Sequence, residues 1–259
     1  MFEFLNKKTI FNPKSQSIQN RKVNHIKKGN KKKYKIKIIT SYSKNYNALG
    51  DLTSKTFKKY ANVHNYKFEN IKMPKTDRPH AWNKIYILMD EMKKNDYEYL
   101  MWIDADAYFN IYKNNIADEI EPNKEIYMVN HFCELHKGSR YPNTKLSVLR
   151  INTGVLLLKN SQSNLKFLQN VWNNEKYINH QWWEQAAIMD EIGLKAELTG
   201  NLNDHKGNSY SHKIKFLPNE WNSIPSNQKL SMEKHYPIII HLAGMKFKDR
   251  LKFVKNKKL

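Results

Sequence analysis

The sequence predicts an α/β fold in which a mostly parallel central sheet is flanked by helices. Three short apolar runs alternate with two segments whose apolar residues recur at helical spacing, which gives the order β-α-β-α-β. The third run, residues 99–103, ends abruptly in two carboxylates, Asp104 and Asp106. This pattern indicates a buried strand whose carboxyl end opens into a cleft, at the edge where α/β sheets bind ligands.

The first strand is predicted over residues 34–40, where alternation gives way to an apolar end. The polar loop that follows, residues 41–47, occupies the position at which such folds receive a nucleotide. Three more elements lead to the acidic pair: a helix over 46–60, a strand over 68–73 and a helix over 82–92.

The second half of the chain is predicted to add four strands and two helices. A glycine inside one strand, in Asn152-Thr153-Gly154, indicates a bulge or a place where a ligand approaches the backbone. Ser161 is a good N-cap for the next helix, and Gly193 is a good stop for the helix after it. The strands cover 126–130, 147–158, 214–217 and 238–242, the helices cover 161–172 and 182–192, and a long loop covers 133–144.

The 259 residues, 40% of them hydrophobic, are enough to bury one sizeable core. We predict one folded domain over residues 34–250, between a basic, flexible N-terminal tail, 1–33, and a basic C-terminal tail, 251–259. The single cysteine, Cys133, excludes an intrachain disulfide framework and a four-cysteine zinc site, and it is typical of a reducing compartment. Since neither a signal peptide nor a run of roughly 18 apolar residues is seen, we expect a cytoplasmic protein or one peripheral to a membrane.

The net charge of +21, from 45 Lys and Arg against 24 Asp and Glu, favours anionic partners. Nucleic acid, an anionic membrane surface and phosphorylated small molecules all fit this charge. The N-terminal tail is a candidate for contact with an anionic membrane, although a merely solvated tail fits its composition better. Nucleic acid is the weaker expectation, because the lysines are scattered and no recognition motif accompanies them.

Residues from two distant parts of the chain converge on one type of ligand, a metal-bound diphosphate. Asp104 and Asp106 supply two hard oxygen ligands of the kind that suits Mg²⁺ or Mn²⁺. His241 follows another apolar run, which places an imidazole at the end of a second strand. Gly244 permits close approach of the backbone, and Lys246 offers a cation to phosphate. No P-loop, GxGxxG, HExxH, paired CxxC or GxSxG motif is present.

Six segments resemble, in this order, glycosyltransferase family 34, which comprises yeast galactosyl- and mannosyltransferases and plant xyloglucan xylosyltransferases. A looser likeness extends to the glycogenin/lipopolysaccharide galactosyltransferase group. The segments are Ala81-Trp82-Asn83-Lys84, Trp102-Ile103-Asp104-Ala105-Asp106-Ala107, Ile151-Asn152-Thr153-Gly154-Val155, Glu184-Gln185-Ala186-Ala187, Asn222-Ser223-Ile224-Pro225 and His241-Leu242-Ala243-Gly244-Met245-Lys246. The resemblance implies a GT-A fold, the Rossmann-like fold of nucleotide-diphospho-sugar transferases. It also implies a metal-dependent, retaining transfer of a hexose or pentose to a glycan or other hydroxyl acceptor.

The resemblance assigns the metal and phosphate end of the site to residues of two motifs. Asp104 and Asp106 would bind Mn²⁺, or Mg²⁺, and through it the diphosphate of the donor. His241 would complete the protein ligands of the metal. Gly244 and Lys246 would lie at the phosphates, with the Lys246 ammonium group in contact with them.

The sugar end of the site would be built from two other segments. Asn152 and Gly154 would line the sugar pocket, and Lys84 matches the lysine of the helix before the metal motif. Glu184 and Gln185 match an acidic-Gln pair near the donor sugar, where the family usually has Asp-Gln. Either side chain would act electrostatically on the sugar during transfer.

The nucleotide end would lie beside the first strand. Thr40 and Ser41, at the end of that strand, would contact the base, and a UDP-sugar is expected rather than a GDP-sugar as donor. The resemblance also predicts three catalytic residues: Gln185, Glu184 and Asp106.

Three other functions stay open at this level. A basic nucleic-acid-binding protein is consistent with the charge, and a metal-dependent nucleotidyl or phosphoryl transferase would use the same pair of aspartates. A non-catalytic relative would keep the residue types without their geometry.

Overall fold

The computed structural model describes residues 32–134, 147–194, 208–225 and 236–257. Its strands are β1 (Ile36–Thr40), β2 (Lys67–Asn70), β3 (Tyr99–Ile103), β4 (Ala107–Phe109), β5 (Ile126–Glu134), β6 (Ser147–Lys159), β7 (Ile214–Leu217) and β8 (Ile239–His241). Six of them form the main sheet in the order β2-β1-β3-β6-β5-β7, and β4 pairs with β8 in a second, two-stranded sheet.

The α-helices of the described segments are α1 (Asn47–His64), α2 (Asn83–Lys94), α3 (Gln162–Asn173), α4 (Trp183–Glu191) and α5 (Phe247–Asn256). Within those segments, no helix combines the length and the apolar character needed to cross a membrane. Two predicted segments, the tail at 1–33 and the loop at 133–144, lie outside the described residues except at their ends.

The main sheet is mostly parallel, as predicted. β1 is parallel to both β2 and β3, and β5 is parallel to β7. β6 runs in the opposite direction, because it is antiparallel to both of its neighbours, β3 and β5. The carboxyl ends of the parallel strands and the N-terminal half of β6 therefore lie at the same edge of the sheet.

Helices cover both faces of the main sheet, which explains why the central strand β3 is apolar and buried along its whole length. Successive side chains of β3 point to opposite faces. Leu100 and Trp102 pack in one core cluster, with residues of α2, α3 and α4. Met101 and Ile103 pack in another, with Phe57 of α1.

The bulge predicted around Asn152-Thr153-Gly154 is present in β6. Met128 of β5 pairs with Leu156, but the next residue, Val129, pairs with Asn152. Three residues of β6 therefore face no partner on β5, and the backbone is free to bend at the edge that β6 shares with the carboxyl ends of the parallel strands.

The turn that carries Asp104 and Asp106 is fastened to α1. The hydroxyl group of Thr53 donates a hydrogen bond to the carbonyl oxygen of Ala105 over 2.8 Å. The hydroxyl oxygen of Thr56 accepts one from the backbone N–H of Phe109 over 3.1 Å. Both threonines are buried, so these bonds hold the turn against the body of the domain.

The basic C-terminal tail predicted over 251–259 is instead helical as far as Asn256, within α5. The basic composition concealed an apolar stripe, because Phe247, Leu251 and Val254 recur at i, i+4 and i+7. This stripe packs with Leu49 of α1 and Tyr108 of β4. The helix thereby becomes part of the domain.

Candidate active site

The pairing of β4 with β8 brings the predicted histidine to the predicted aspartates. Asp104 and Asp106 lie in the turn between β3 and β4, and Ala107 pairs with His241 in the β4–β8 ladder. His241 Nε2 lies 3.2 Å from Asp106 Oδ1 and 3.9 Å from Asp104 Oδ2. Two neighbouring aspartates and a histidine more than half of the chain away therefore form one cluster.

This cluster fits a divalent cation. One ligand atom from each of Asp104, Asp106 and His241 can be chosen so that all three lie within 4.8 Å of one another. The two carboxylates supply hard, anionic oxygen ligands, and the imidazole supplies a nitrogen ligand. The donor set therefore suits Mn²⁺, with Mg²⁺ as a second ion of the same charge.

An arginine that the sequence analysis did not single out holds the second carboxylate oxygen of Asp106. Arg250 Nη1, from α5, lies 2.8 Å from Asp106 Oδ2. The same side chain donates hydrogen bonds to Met245 O and to the hydroxyl of Tyr46. Burial opposes ionisation of Asp106, but His241 and Arg250 outweigh burial and lower its pKa to about 2. Asp106 is therefore ionised at neutral pH.

The other ring nitrogen of His241, Nδ1, contacts Asn222, a second residue to which the sequence assigned no role. His241 Nδ1 lies 2.9 Å from Asn222 Oδ1. The amide nitrogen of Asn222 in turn donates to Asn152 Oδ1 over 2.9 Å. The side chains of His241, Asn222 and Asn152 are buried or half-buried. Their contacts link the Asp104–Asp106–His241 cluster to the bulge of β6.

Gly154 is required because the imidazole of His241 lies directly against its backbone. A Cβ atom at this position would lie 2.1 Å from His241 Cε1 and 2.6 Å from Nδ1. The close approach that the sequence indicated is therefore made by a side chain of the protein itself.

Lys84 connects Asp104, one of the three clustered side chains, to α4. Its ammonium group lies 3.1 Å from Asp104 Oδ1 and 2.9 Å from Glu184 Oε1, and it donates to the carbonyl oxygen of Thr153 over 3.0 Å. Burial lowers the pKa of Lys84, but the two carboxylates outweigh it and the net shift is upward. Lys84 is therefore a buried, permanently charged ammonium group.

Glu184 and Gln185 have different surroundings although they are neighbours in α4. Glu184 is buried, and burial together with repulsion by Asp104 raises the pKa of its carboxyl group despite the opposing effect of Lys84. Gln185 is half-buried, and its Oε1 accepts a hydrogen bond from the backbone N–H of Thr153 over 3.3 Å. Glu184 is therefore committed to Lys84, while the carbonyl oxygen of Gln185 keeps a second lone pair.

Four predicted residues are not joined to this cluster by any hydrogen bond or ion pair among the described residues. Thr40 and Ser41 lie at the end of β1, and their buried hydroxyl groups have no hydrogen-bond partner in the described part of the chain. Gly244 has a φ of 78°, which favours glycine, and Lys246 is exposed at the N-cap of α5.

Sequence reasoning missed the connecting residues Thr153, Asn222 and Arg250. Thr153 and Asn222 lie in segments that carry the family resemblance, so their position in the motifs is a signal that could have found them. Arg250 lies beyond the last motif and gave no such signal, because its role depends on how α5 packs.

A family model described as the galactosyl transferase GMA12/MNN10 family matches residues 31–252 of the chain. The chain belongs to this family. It is therefore a glycosyltransferase, and the resemblance stated from its motifs is confirmed. Membership in the GMA12/MNN10 family supports glycosyl transfer rather than nucleotidyl transfer. No curated protein matches the sequence of this family member.

Solved structures confirm that this GMA12/MNN10 family member has a GT-A fold. A glycosyltransferase involved in the glycosylation of the major capsid of PBCV-1 superposes with a TM-score of 0.61 and 19% identity, over 86% of this chain and 99% of that one. The bifunctional glycosyltransferase WbbM gives 0.53 and 13%, over 86% of this chain and 50% of that one. The galactosyltransferase LgtC, solved with donor and acceptor sugar analogues, gives 0.50 and 11%, over 85% and 95%.

Proposed function

We propose that this glycosyltransferase moves a hexose or pentose from a nucleotide-diphosphate sugar to a hydroxyl group of a glycan, with the aid of Mn²⁺ or Mg²⁺. The observation that carries the proposal is the cluster of Asp104, Asp106 and His241 at the carboxyl edge of the sheet. A UDP-sugar is the proposed donor. The N-terminal tail is proposed to contact an anionic membrane.

The three clustered side chains would hold the cation, with Asp106 and His241 presenting ligand atoms that lie 3.2 Å apart. When bound, a divalent cation neutralises the negative charge that grows on a departing diphosphate. The protein prepares for this by keeping Asp106 ionised and by fixing Asp104 with bonds from Trp102 Nε1 and Lys84. The site is thereby preorganised before a donor arrives.

The nucleotide and phosphate ends of the proposed donor site rest on three residues. The unpartnered hydroxyl groups of Thr40 and Ser41 supply donors and acceptors for a base at the end of β1. Lys246 supplies a cation at the N-terminus of α5, where backbone N–H groups also favour an anion. These positions support a diphosphate that reaches from β1 towards α5.

The transfer is proposed to retain the configuration of the sugar. The bond between the anomeric carbon and the phosphate oxygen breaks, and a bond from that carbon to the acceptor oxygen forms on the same face. The acceptor's proton passes to the departing phosphate oxygen. Because Glu184 is committed to Lys84, Gln185 is the better placed of the two to stabilise positive charge on the sugar, through its carbonyl oxygen.

The test compares Asp106→Asn with Asp249→Asn, a control acid exposed on α5. Purified protein is screened against UDP- and GDP-sugars with Mn²⁺, and products are identified by mass spectrometry. We expect release of a nucleoside diphosphate that EDTA abolishes, and a loss of at least ~10²-fold in Asp106→Asn only. Activity that persists unchanged in EDTA and in Asp106→Asn would contradict the metal site.

A further inference from the structure

The polarity of one peptide group fixes which nitrogen of His241 carries a proton. The backbone N–H of Gly154 can only donate, and it donates to Asn152 Oδ1 over 2.9 Å. Asn222 Nδ2 donates to the same oxygen over 2.9 Å and to the carbonyl oxygen of Asn152 over 3.3 Å. The amide oxygen of Asn222 therefore faces His241. Because this oxygen can only accept, the 2.9 Å contact requires a proton on His241 Nδ1.

We propose that Asn222 is a positioning residue that sets the tautomer of His241 and leaves its Nε2 free to ligate the cation. Nε2 is the nitrogen that faces Asp106 at 3.2 Å and Asp104 at 3.9 Å. A neutral imidazole can carry its proton on either nitrogen, and the partner of one nitrogen decides the state of the other. The proposal rests on the proposed function, because the cation belongs to it.

The surroundings of the ring prevent another group from taking over this task. Asn222 is 0% exposed and His241 is 2% exposed, so bulk water does not reach the contact. Gly154 blocks one side of the ring at close range. The backbone fixes the geometry further, because Ser223 N–H donates to Ile239 O over 2.9 Å and His241 N–H donates to Ser223 O over 2.8 Å.

The proposal gives the Asn152-Thr153-Gly154 segment a second task. Besides lining the proposed sugar pocket, it orients Asn222 through Asn152 and supports the ring of His241 through Gly154. The metal end and the sugar end of the site are thus joined by an unbroken line of hydrogen bonds.

The test uses the full-length protein and the variants Asn222→Ala, Asn222→Asp and Asn219→Ala. Asn219 is a matched control, because it is a half-buried asparagine at the start of the 3-10 helix Asn219–Asn222, which ends at Asn222. Binding of Mn²⁺ alone is followed through the electron paramagnetic resonance signal of the free ion. The tautomer is read from ¹⁵N chemical shifts of labelled histidine in metal-free protein, with the His241 signal assigned from a His241→Ala variant.

We expect a proton on His241 Nδ1 in the wild type and in Asn219→Ala. In Asn222→Ala the proton should shift towards Nε2, and Mn²⁺ should bind about 10- to 100-fold more weakly. Asn222→Asp keeps an acceptor facing the ring and should retain the Nδ1 proton, which also carries the test if Asn222→Ala fails to fold.

A wild-type Nδ1 without a proton, or an Nδ1 proton retained in Asn222→Ala with wild-type Mn²⁺ affinity, overturns the proposal. If the wild type binds no Mn²⁺, the metal part of the proposed function fails instead. The ¹⁵N shifts then decide the role of Asn222 by themselves.

Discussion

Replacing Gly154 by alanine tests whether the proposed metal site depends on sub-ångström placement of His241. The added Cβ would lie 2.1 Å from His241 Cε1, whereas ordinary contact begins near 3.4 Å. The ring must therefore retreat by more than ~1 Å, although metal ligands tolerate displacements of only about 0.2 Å. Since the ring is buried and bonded to Asn222, it cannot swing into solvent.

Two quantities should change in Gly154→Ala. Overpacking of a buried site costs about 1–3 kcal/mol of unfolding free energy, which corresponds to roughly 2–4 °C of melting temperature per kcal/mol for a chain of this size. Displacement of the ligand should weaken Mn²⁺ binding by at least ~10-fold. Thermal denaturation with and without Mn²⁺ measures both effects, because an ion that binds the folded state raises the melting temperature.

Gly50→Ala is the matched control for this experiment. Its Cβ would also be crowded, at 2.6 Å, but by the ring of Tyr42, a partly exposed side chain that can move aside. Gly50→Ala should therefore leave Mn²⁺ affinity unchanged. Wild-type Mn²⁺ affinity in Gly154→Ala would refute the argument that contact with Gly154 places the histidine.

Two further predictions concern the charges around the site. Lys84→Met leaves the buried carboxylate of Glu184 without its counter-charge, and the unfolding free energy measured with urea should fall by about 3–5 kcal/mol. Arg250→Gln removes the charged donor from the second oxygen of Asp106, and the same measurement should show a loss of about 1.5–3 kcal/mol.

Exposed cations on the same helices serve as controls for these two variants. Lys93→Met on α2 and Lys252→Gln on α5 should each change stability by less than about 0.5 kcal/mol. If Lys84→Met were as stable as Lys93→Met, Lys84 would not be the counter-charge of the buried Glu184. If Arg250→Gln had the same unfolding free energy as Lys252→Gln, the ion pair between Arg250 and Asp106 would not stabilise the fold.

Much of the fold was predictable because burial leaves a local record in the sequence. β3 and β7 begin and end at the predicted residues, since each is an apolar run bounded by polar residues. The side chain of Ser161 caps α3, as its position before a helical pattern predicted. By contrast, β4 was not predicted, because three residues after a turn carry no periodicity and their partner strand lies more than a hundred residues away.

Asp104, Asp106 and His241 were predicted as one site because each lies at the end of an apolar run, but the pairing of β4 with β8 that brings them together was not predicted. The residues that contact these side chains could not be predicted from the sequence. Lys84 and Glu184 lie 100 residues apart in the chain, and the sequence around either residue does not indicate that the other contacts it.

The sequence by itself determined the class of fold, the glycosyltransferase family and the residue types of the candidate metal site. These follow from periodicity and from short motifs, which are properties of neighbouring residues. Only the tertiary structure decided that Glu184 is neutralised by Lys84, that Arg250 contacts Asp106 and Asn222 contacts His241, and that Gly154 makes room for His241. Each of these depends on a distance between atoms of distant segments, and that distance is set by how the whole chain packs.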